Sequence, residues 1–83
     1  MDDRLYQQAK QLICETLEVG AEELQDATHF VDDLGIDSIL IIELKTLFEE
    51  KYDIAIDKED LKDLNSLNDI MTYLTERNVP ALV

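Results

Sequence analysis

The stretch Asp33-Leu34-Gly35-Ile36-Asp37-Ser38-Ile39 runs directly into the apolar-rich segment 40–52, and the rest of the chain is arranged around this junction. A loop containing a glycine gives way to a helical pattern at Ser38, which places the serine hydroxyl at a helix N-terminus with acidic neighbours. A group attached there meets backbone N–H donors that the helix cannot use and the positive end of its dipole, the environment in which a phosphate diester is best tolerated. Ser38 is therefore a candidate attachment point, with Asp37 flanking it.

From Ser38 the pattern predicts a helix to Lys51 or Tyr52, with Leu44, Leu47, Phe48 and Lys51 or Tyr52 along one side. Its opening is unusual because Ile39, Leu40, Ile41 and Ile42 are consecutive. A helix sends four successive side chains in four directions, so at least one must point away from the core. Leu40 is weighed equally as a residue leaning over a neighbouring loop and as one meeting a partner or a group attached at Ser38.

Upstream, Asp2 or Asp3 can cap a first helix whose stripe is Leu5, Ala9, Leu12, Ile13 and Leu17, and Gly20 is expected to end it. One further turn is expected over Ala21 to Leu24, followed by a long loop from Gln25 to Asp37 pinned by Phe30, Val31, Leu34 and Ile36. Downstream, Asp53-Ile54-Ala55-Ile56 alternates over too few residues for a sheet and reads as an extended connector. Asp57 can cap a short helix through Leu61 and Leu64. Ser66-Leu67-Asn68-Asp69 resembles a capping box opening a last helix with a stripe of Leu67, Ile70, Met71 and Leu74. The expected architecture is all-α, a small four-helix bundle of three main helices and one short one, with residues 1–83 forming a single domain.

Composition narrows the function. The 83 residues carry a net charge of −13, which opposes contact with nucleic acid or an anionic membrane and favours partners with basic surfaces. Between Asp32 and Asp60 ten acidic residues face three lysines, a balance of −7 concentrated around Ser38 and the second helix. Hydrophobic residues make up 46% of the chain with clear periodicity, too many for a disordered segment. A single cysteine and the lack of a secretory or membrane-spanning run fit a reducing cytoplasm. Cys14 lacks a Cys or His partner motif and reads as a packing residue, as do Met71 and Tyr73. His29 has no nucleophile or orienting carboxylate at recognisable spacing and is read as a loop residue; no metal site is expected. Ser38 likewise has no activating Lys or His, so the chemistry belongs to a partner and the chain is not expected to be an enzyme.

Asp33-Leu34-Gly35-Ile36-Asp37-Ser38 closely resembles the Asp-Leu-Gly-x-Asp-Ser box of acyl carrier proteins, and Glu43-Leu44 and Phe48-Glu49-Glu50-Lys51-Tyr52 fall where that family carries similar residues. The resemblance covers nearly the whole chain. It implies a 4′-phosphopantetheine arm on Ser38, installed from coenzyme A by a phosphopantetheinyl transferase, whose terminal thiol holds acyl groups as thioesters. It also implies an acyltransferase, ketosynthase or related acyl-processing enzyme with a basic docking surface. Leu40, Ile41, Glu43, Glu49 and Glu50 are the candidate docking residues. The protein is expected to act as a monomer, raising the effective concentration of a tethered substrate at each active site.

Fatty-acid carriers commonly read Asp-Ser-Leu followed by a polar or acidic residue, whereas this chain reads Asp37-Ser38-Ile39-Leu40. That departure looks more like specialised polyketide carriers, including discrete carriers that donate acyl units in β-branching cassettes; an excised domain of a larger synthase is the other option. A fatty-acid carrier stays as an alternative, as does a peptidyl or aryl carrier with the same arm; peptidyl carriers usually place His before the serine, which favours acyl here, while a D-alanyl carrier shares the Asp. A helical protein-interaction module without an arm, in which Ser38 is only part of a helix cap, is the alternative from another class.

Overall fold

The computed structural model describes residues 3–83, so Asp2, one of the two expected caps, lies outside the described residues. Three α-helices, α1 (Asp3–Leu17), α2 (Ser38–Tyr52) and α3 (Leu67–Glu76), are joined by a 3-10 turn at Ala21–Glu23 and a 3-10 helix at Lys58–Asp63. No strand occurs among the described residues. This is the expected all-α bundle, its short member a 3-10 helix.

Asp3 lies in the first turn of α1, and the helix buries Leu5, Ala9, Ile13 and Leu17, one residue per turn, against both α2 and α3. Leu12, one position before Ile13, is turned off the buried stripe toward the α2 side and is only half-buried. Gly20 does not end the helix as expected. Glu18 adopts the left-handed conformation at φ 58°, and the Val19 N–H returns to the Cys14 carbonyl at 3.1 Å, closing α1 before Gly20 is reached. Gly20, at φ −77°, instead precedes the 3-10 turn. Cys14 is half-buried, and desolvation is the main cause that pushes its thiol pKa up, which suits a packing residue.

The long loop is anchored by Phe30, whose side chain is fully buried and whose N–H bonds the Asn65 carbonyl at 2.8 Å, tying the loop to the segment before α3. Leu34 and Ile36 pack against the core as partial pins. Val31 does not; it is 46% exposed, on the outer side of the turn that delivers Phe30 inward.

In α2 the buried positions are Leu44, Phe48 and Tyr52, with the Phe48 and Tyr52 rings stacked at 5.9 Å; Leu47 is half-buried and Lys51 exposed. Asp53, left-handed at φ 53°, stops the helix, and an extended connector carries Ile56 into the core. Asp57 stands at the N-cap position of the 3-10 helix, but its side chain makes no capping bond; its carbonyl takes the Asp60 N–H at 2.9 Å instead. A 3-10 turn closes on the backbone carbonyl three residues back, so the carboxylate is left to solvent.

Ser66 caps α3 by accepting the Asp69 N–H at 3.2 Å, while the Asp69 carboxylate accepts the Asn65 N–H at 2.9 Å. The reciprocal half of the expected box thus falls one residue earlier. Leu67, Ile70, Met71, Tyr73 and Leu74 are buried along α3. Beyond it, Gln8 clamps the C-terminal segment: its Nε2 donates to the Leu82 carbonyl at 2.8 Å, and its Oε1 accepts the Leu82 N–H and the Tyr52 hydroxyl, each at 2.9 Å. One side chain therefore joins α1, α2 and the tail.

Candidate attachment site

Gly35 sets the approach to Ser38. It stands at φ 69°, and a Cβ there would meet nothing within 4 Å, so the requirement is conformational rather than steric crowding. The reversal lets the Gly35 N–H reach the Val31 carbonyl and the Ile36 N–H reach the Phe30 carbonyl, both at 3.0 Å. The chain then leaves the turn extended through Asp37, at φ −85° and ψ 167°, and enters α2 at Ser38.

Asp37 is the N-cap. Its Oδ1 accepts the Leu40 N–H at 3.0 Å, satisfying one of the orphan donors of the first turn. The amides of Ser38 and Ile39 are, with that of Asp37 itself, the remaining donors that helix geometry leaves without an intrahelical acceptor. Ser38 itself is exposed at the first helical position. Beside it lies a crevice bounded by Phe30, Val31, Ile41, Ile42 and Lys62. Lys62, which the sequence did not single out, brings a cation to that crevice from the 3-10 helix; nothing in the linear pattern links it to Ser38.

Ile41, Leu61 and Leu64 form a wall shared by this crevice and an apolar cavity between α2, the 3-10 helix and α3. The cavity encloses only about 20 Å³, close to the space one water needs, so it takes nothing larger unless the elements part. Its flank is latched by Tyr73, whose hydroxyl donates to Asp60 at 3.1 Å, and by Arg77, which lies 3.4 Å over the Tyr73 ring and pairs with Asp60 at 3.3 Å. Burial is the main reason the Tyr73 pKa is raised, with the Asp60 bond second.

The candidate docking residues separate by position. Glu43 and Glu50 are exposed, Leu40 and Ile41 are half-buried against the core, and the residues turned outward are Ile39, 73% exposed, and Ile42, 53% exposed. Glu49 is engaged internally: one carboxylate oxygen accepts the Ile56 N–H at 2.9 Å and the other meets the Lys45 Nζ at 3.2 Å. The Ile56 bond, then Lys45, hold its pKa below the ordinary carboxylate value. His29 is knit into its own turn, accepting the Asp32 N–H at Nδ1 at 3.0 Å while its backbone N–H donates to Asp33 at 2.7 Å.

An exposed serine opens a capped helix on a small acidic helical bundle, the arrangement that the resemblance to carrier proteins implies. The sequence matches the family described as "Phosphopantetheine attachment site" over residues 7–74. It is 41% identical over 69 residues to an acyl carrier protein of Syntrophus aciditrophicus, covering 83% of this chain and 86% of the relative. It is 34% identical over 73 residues to an acyl carrier protein of Bdellovibrio bacteriovorus, covering 88% and 94% of the two chains. A Mycobacterium tuberculosis structure provisionally described as an acyl carrier protein superposes with a TM-score of 0.77 at 27% identity, covering 88% of this chain and 97% of the other. The chain belongs to the phosphopantetheine-bearing acyl carrier protein family. It is a carrier and not an enzyme, and its cofactor is 4′-phosphopantetheine.

The residues present fit that group: the hydroxyl of the exposed Ser38 for the ester, two amides at the positive end of α2 for phosphate oxygens, and an adjoining crevice with apolar walls. When bound, the arm supplies a thiol that holds acyl groups as thioesters. The chain's own residues orient the serine, Asp37 by fixing the first turn of α2 and Gly35 by turning the loop into it.

Proposed function

We propose that Ser38 is the residue that receives the 4′-phosphopantetheine arm and that residues 1–83 work as one carrier domain delivering acyl groups to partner enzymes. The observation that supports this is the exposure of Ser38 at the first helical position, with Asp37 rather than Ser38 acting as the cap. A serine needed only to cap the helix would occupy the position that Asp37 holds. Incubation with coenzyme A and a broad-range phosphopantetheinyl transferase should add one arm to the wild type, and Ser38→Ala should fold normally and gain no mass. An arm retained by Ser38→Ala would sink the assignment, and no mass gain on the wild type would return the chain to the interaction-module reading.

Docking in this reading uses the exposed carboxylates Glu43 and Glu50 and the outward faces of the first turns of α2, with Leu40, Ile41 and Glu49 shaping that surface from partly buried positions. Partners are the transferase and acyl-processing enzymes such as an acyltransferase or ketosynthase with basic surfaces. The carrier works as a cytoplasmic monomer, its charge of −13 opposing self-association.

The pathway we favour is polyketide biosynthesis, in its narrower form the donation of acyl units for β-branching. Its support is Leu40, apolar at the position two residues after the serine where fatty-acid carriers commonly become polar, together with the outward apolar pair Ile39 and Ile42 that flanks it. Acyl transfer from the loaded protein to ketosynthases of the two pathways tests it. Efficient use by a fatty-acid ketosynthase, undiminished beside a polyketide enzyme, would overturn the pathway and leave the carrier role standing.

A further inference from the structure

On the opposite flank of α2 from the Ser38 crevice, α1 and α2 enclose a shallow groove. Half-buried Leu12, Leu40 and Leu47 form its floor, and exposed Glu15, Glu18 and Glu43 form its rim. None of its residues lines the Ser38 crevice. Among the described residues none of the three glutamates is in an ion pair; Glu15 accepts only the Gln11 amide at 3.0 Å.

Glu18 is the most informative of them. It closes α1 in the left-handed conformation at φ 58°, a place where glycine is the usual residue because a Cβ is unfavourable there. The same position puts a carboxylate on the groove rim. A residue less suited to its backbone but well placed on a surface feature points to a use for the side chain.

We propose that this groove docks a basic amphipathic helix of a partner enzyme, with apolar side chains seated on Leu12, Leu40 and Leu47 and Lys or Arg meeting Glu15, Glu18 and Glu43. Charge selects the occupant. A second copy of this chain would bring a net charge of −13 to an acidic rim, whereas a basic helix pairs with the rim and covers the apolar floor at once. Because the groove and the crevice do not overlap, a partner held there leaves Ser38 open, so the carrier can stay tethered while its cargo is presented elsewhere. This rests on the carrier reading and deepens it: Leu40 and Glu43 already belong to the docking surface proposed above, and Leu12, Glu15 and Glu18 extend it onto α1.

The test uses the holo protein, labelled for amide NMR and titrated with an amphipathic Leu/Lys peptide about 14 residues long, the usual span of a globular helix. Saturable shifts at Leu12, Glu15, Glu18, Leu40, Glu43 and Leu47 are expected, weakened about tenfold in affinity by Glu15→Lys with Glu18→Lys, as two reversed surface charges would give. Glu18→Gly should weaken binding while leaving the melting midpoint unchanged or raised. Shifts centred on the Ser38 crevice, shifts scattered over the acidic surface, groove shifts produced by raising protein concentration alone, or affinity unaffected by the α1 variants would each overturn the groove. Arm attachment from coenzyme A is measured in parallel on wild type and α1 variants. Its failure in the wild type strikes the carrier reading, while groove failure with intact attachment strikes only the docking proposal.

Discussion

Four consecutive apolar residues after Ser38 divide their work by direction. Leu40 and Ile41 turn toward the core, one facing the α1 side and the other the cavity wall, while Ile39 and Ile42 face outward. The expectation that at least one must leave the core follows from helix geometry, but which one depends on where α1 and the 3-10 helix lie. Replacing Ile39 or Ile42 with Asp should therefore change stability by less than about 0.5 kcal/mol while slowing transfer to a cognate enzyme. Leu40→Asp forces a charge against apolar neighbours and should cost about 1–3 kcal/mol, a fall of about 4–8 °C in melting midpoint for each kcal/mol in a domain this small. Thermal melts of the three variants decide the matter: an Ile39→Asp midpoint as low as that of Leu40→Asp would show that the apolar opening is all packing.

At the scale of elements, the caps were legible where a short polar side chain precedes an apolar stripe, and least so where the helix is short. Ser66 caps α3 as its sequence suggests, yet Asp57 contributes only its backbone carbonyl because a 3-10 turn closes three residues back. Glu49 illustrates a role hidden in an acidic run. It holds the connector to the end of α2 through the Ile56 N–H, and that bond with Lys45 lowers its pKa in the folded state. A depressed folded pKa means the ionised carboxylate favours the folded chain. The contribution is present above the ordinary carboxylate pKa and is lost as pH falls through the lower folded value. The difference in melting midpoint between wild type and Glu49→Gln should accordingly be largest near neutrality and narrow on acidification; a difference independent of pH would remove this account of Glu49.

For the whole molecule, the charge of −13 sits on a bundle of 11.6 Å radius of gyration, so its field reaches any approaching basic surface. Association with the transferase should weaken as ionic strength rises from about 0.01 to 0.15 M, where the screening length falls from about 30 to 8 Å. The effect should appear as a rising KM for the carrier with little change in kcat, since exposed charges steer encounter more than they stabilise the reacting complex. A KM indifferent to salt over that range would rule out an electrostatic interface.

By itself the sequence determined the helical class, the positions of α1, α2 and α3, the loop pinned by Phe30 and the candidate serine at the start of α2. These rest on local information: apolar spacing, capping residues and a glycine before the helix. Tertiary packing decided the rest. It placed Val31 and Ile42 outward, drew Leu40 inward, assigned Glu49 to the connector and locked the tail to Gln8. It also brought Lys62 to the Ser38 crevice and Glu18 to the rim beside Leu40. Each of these depends on which surface of one element meets another across long chain separations, and periodicity within a single helix carries no information about its neighbour.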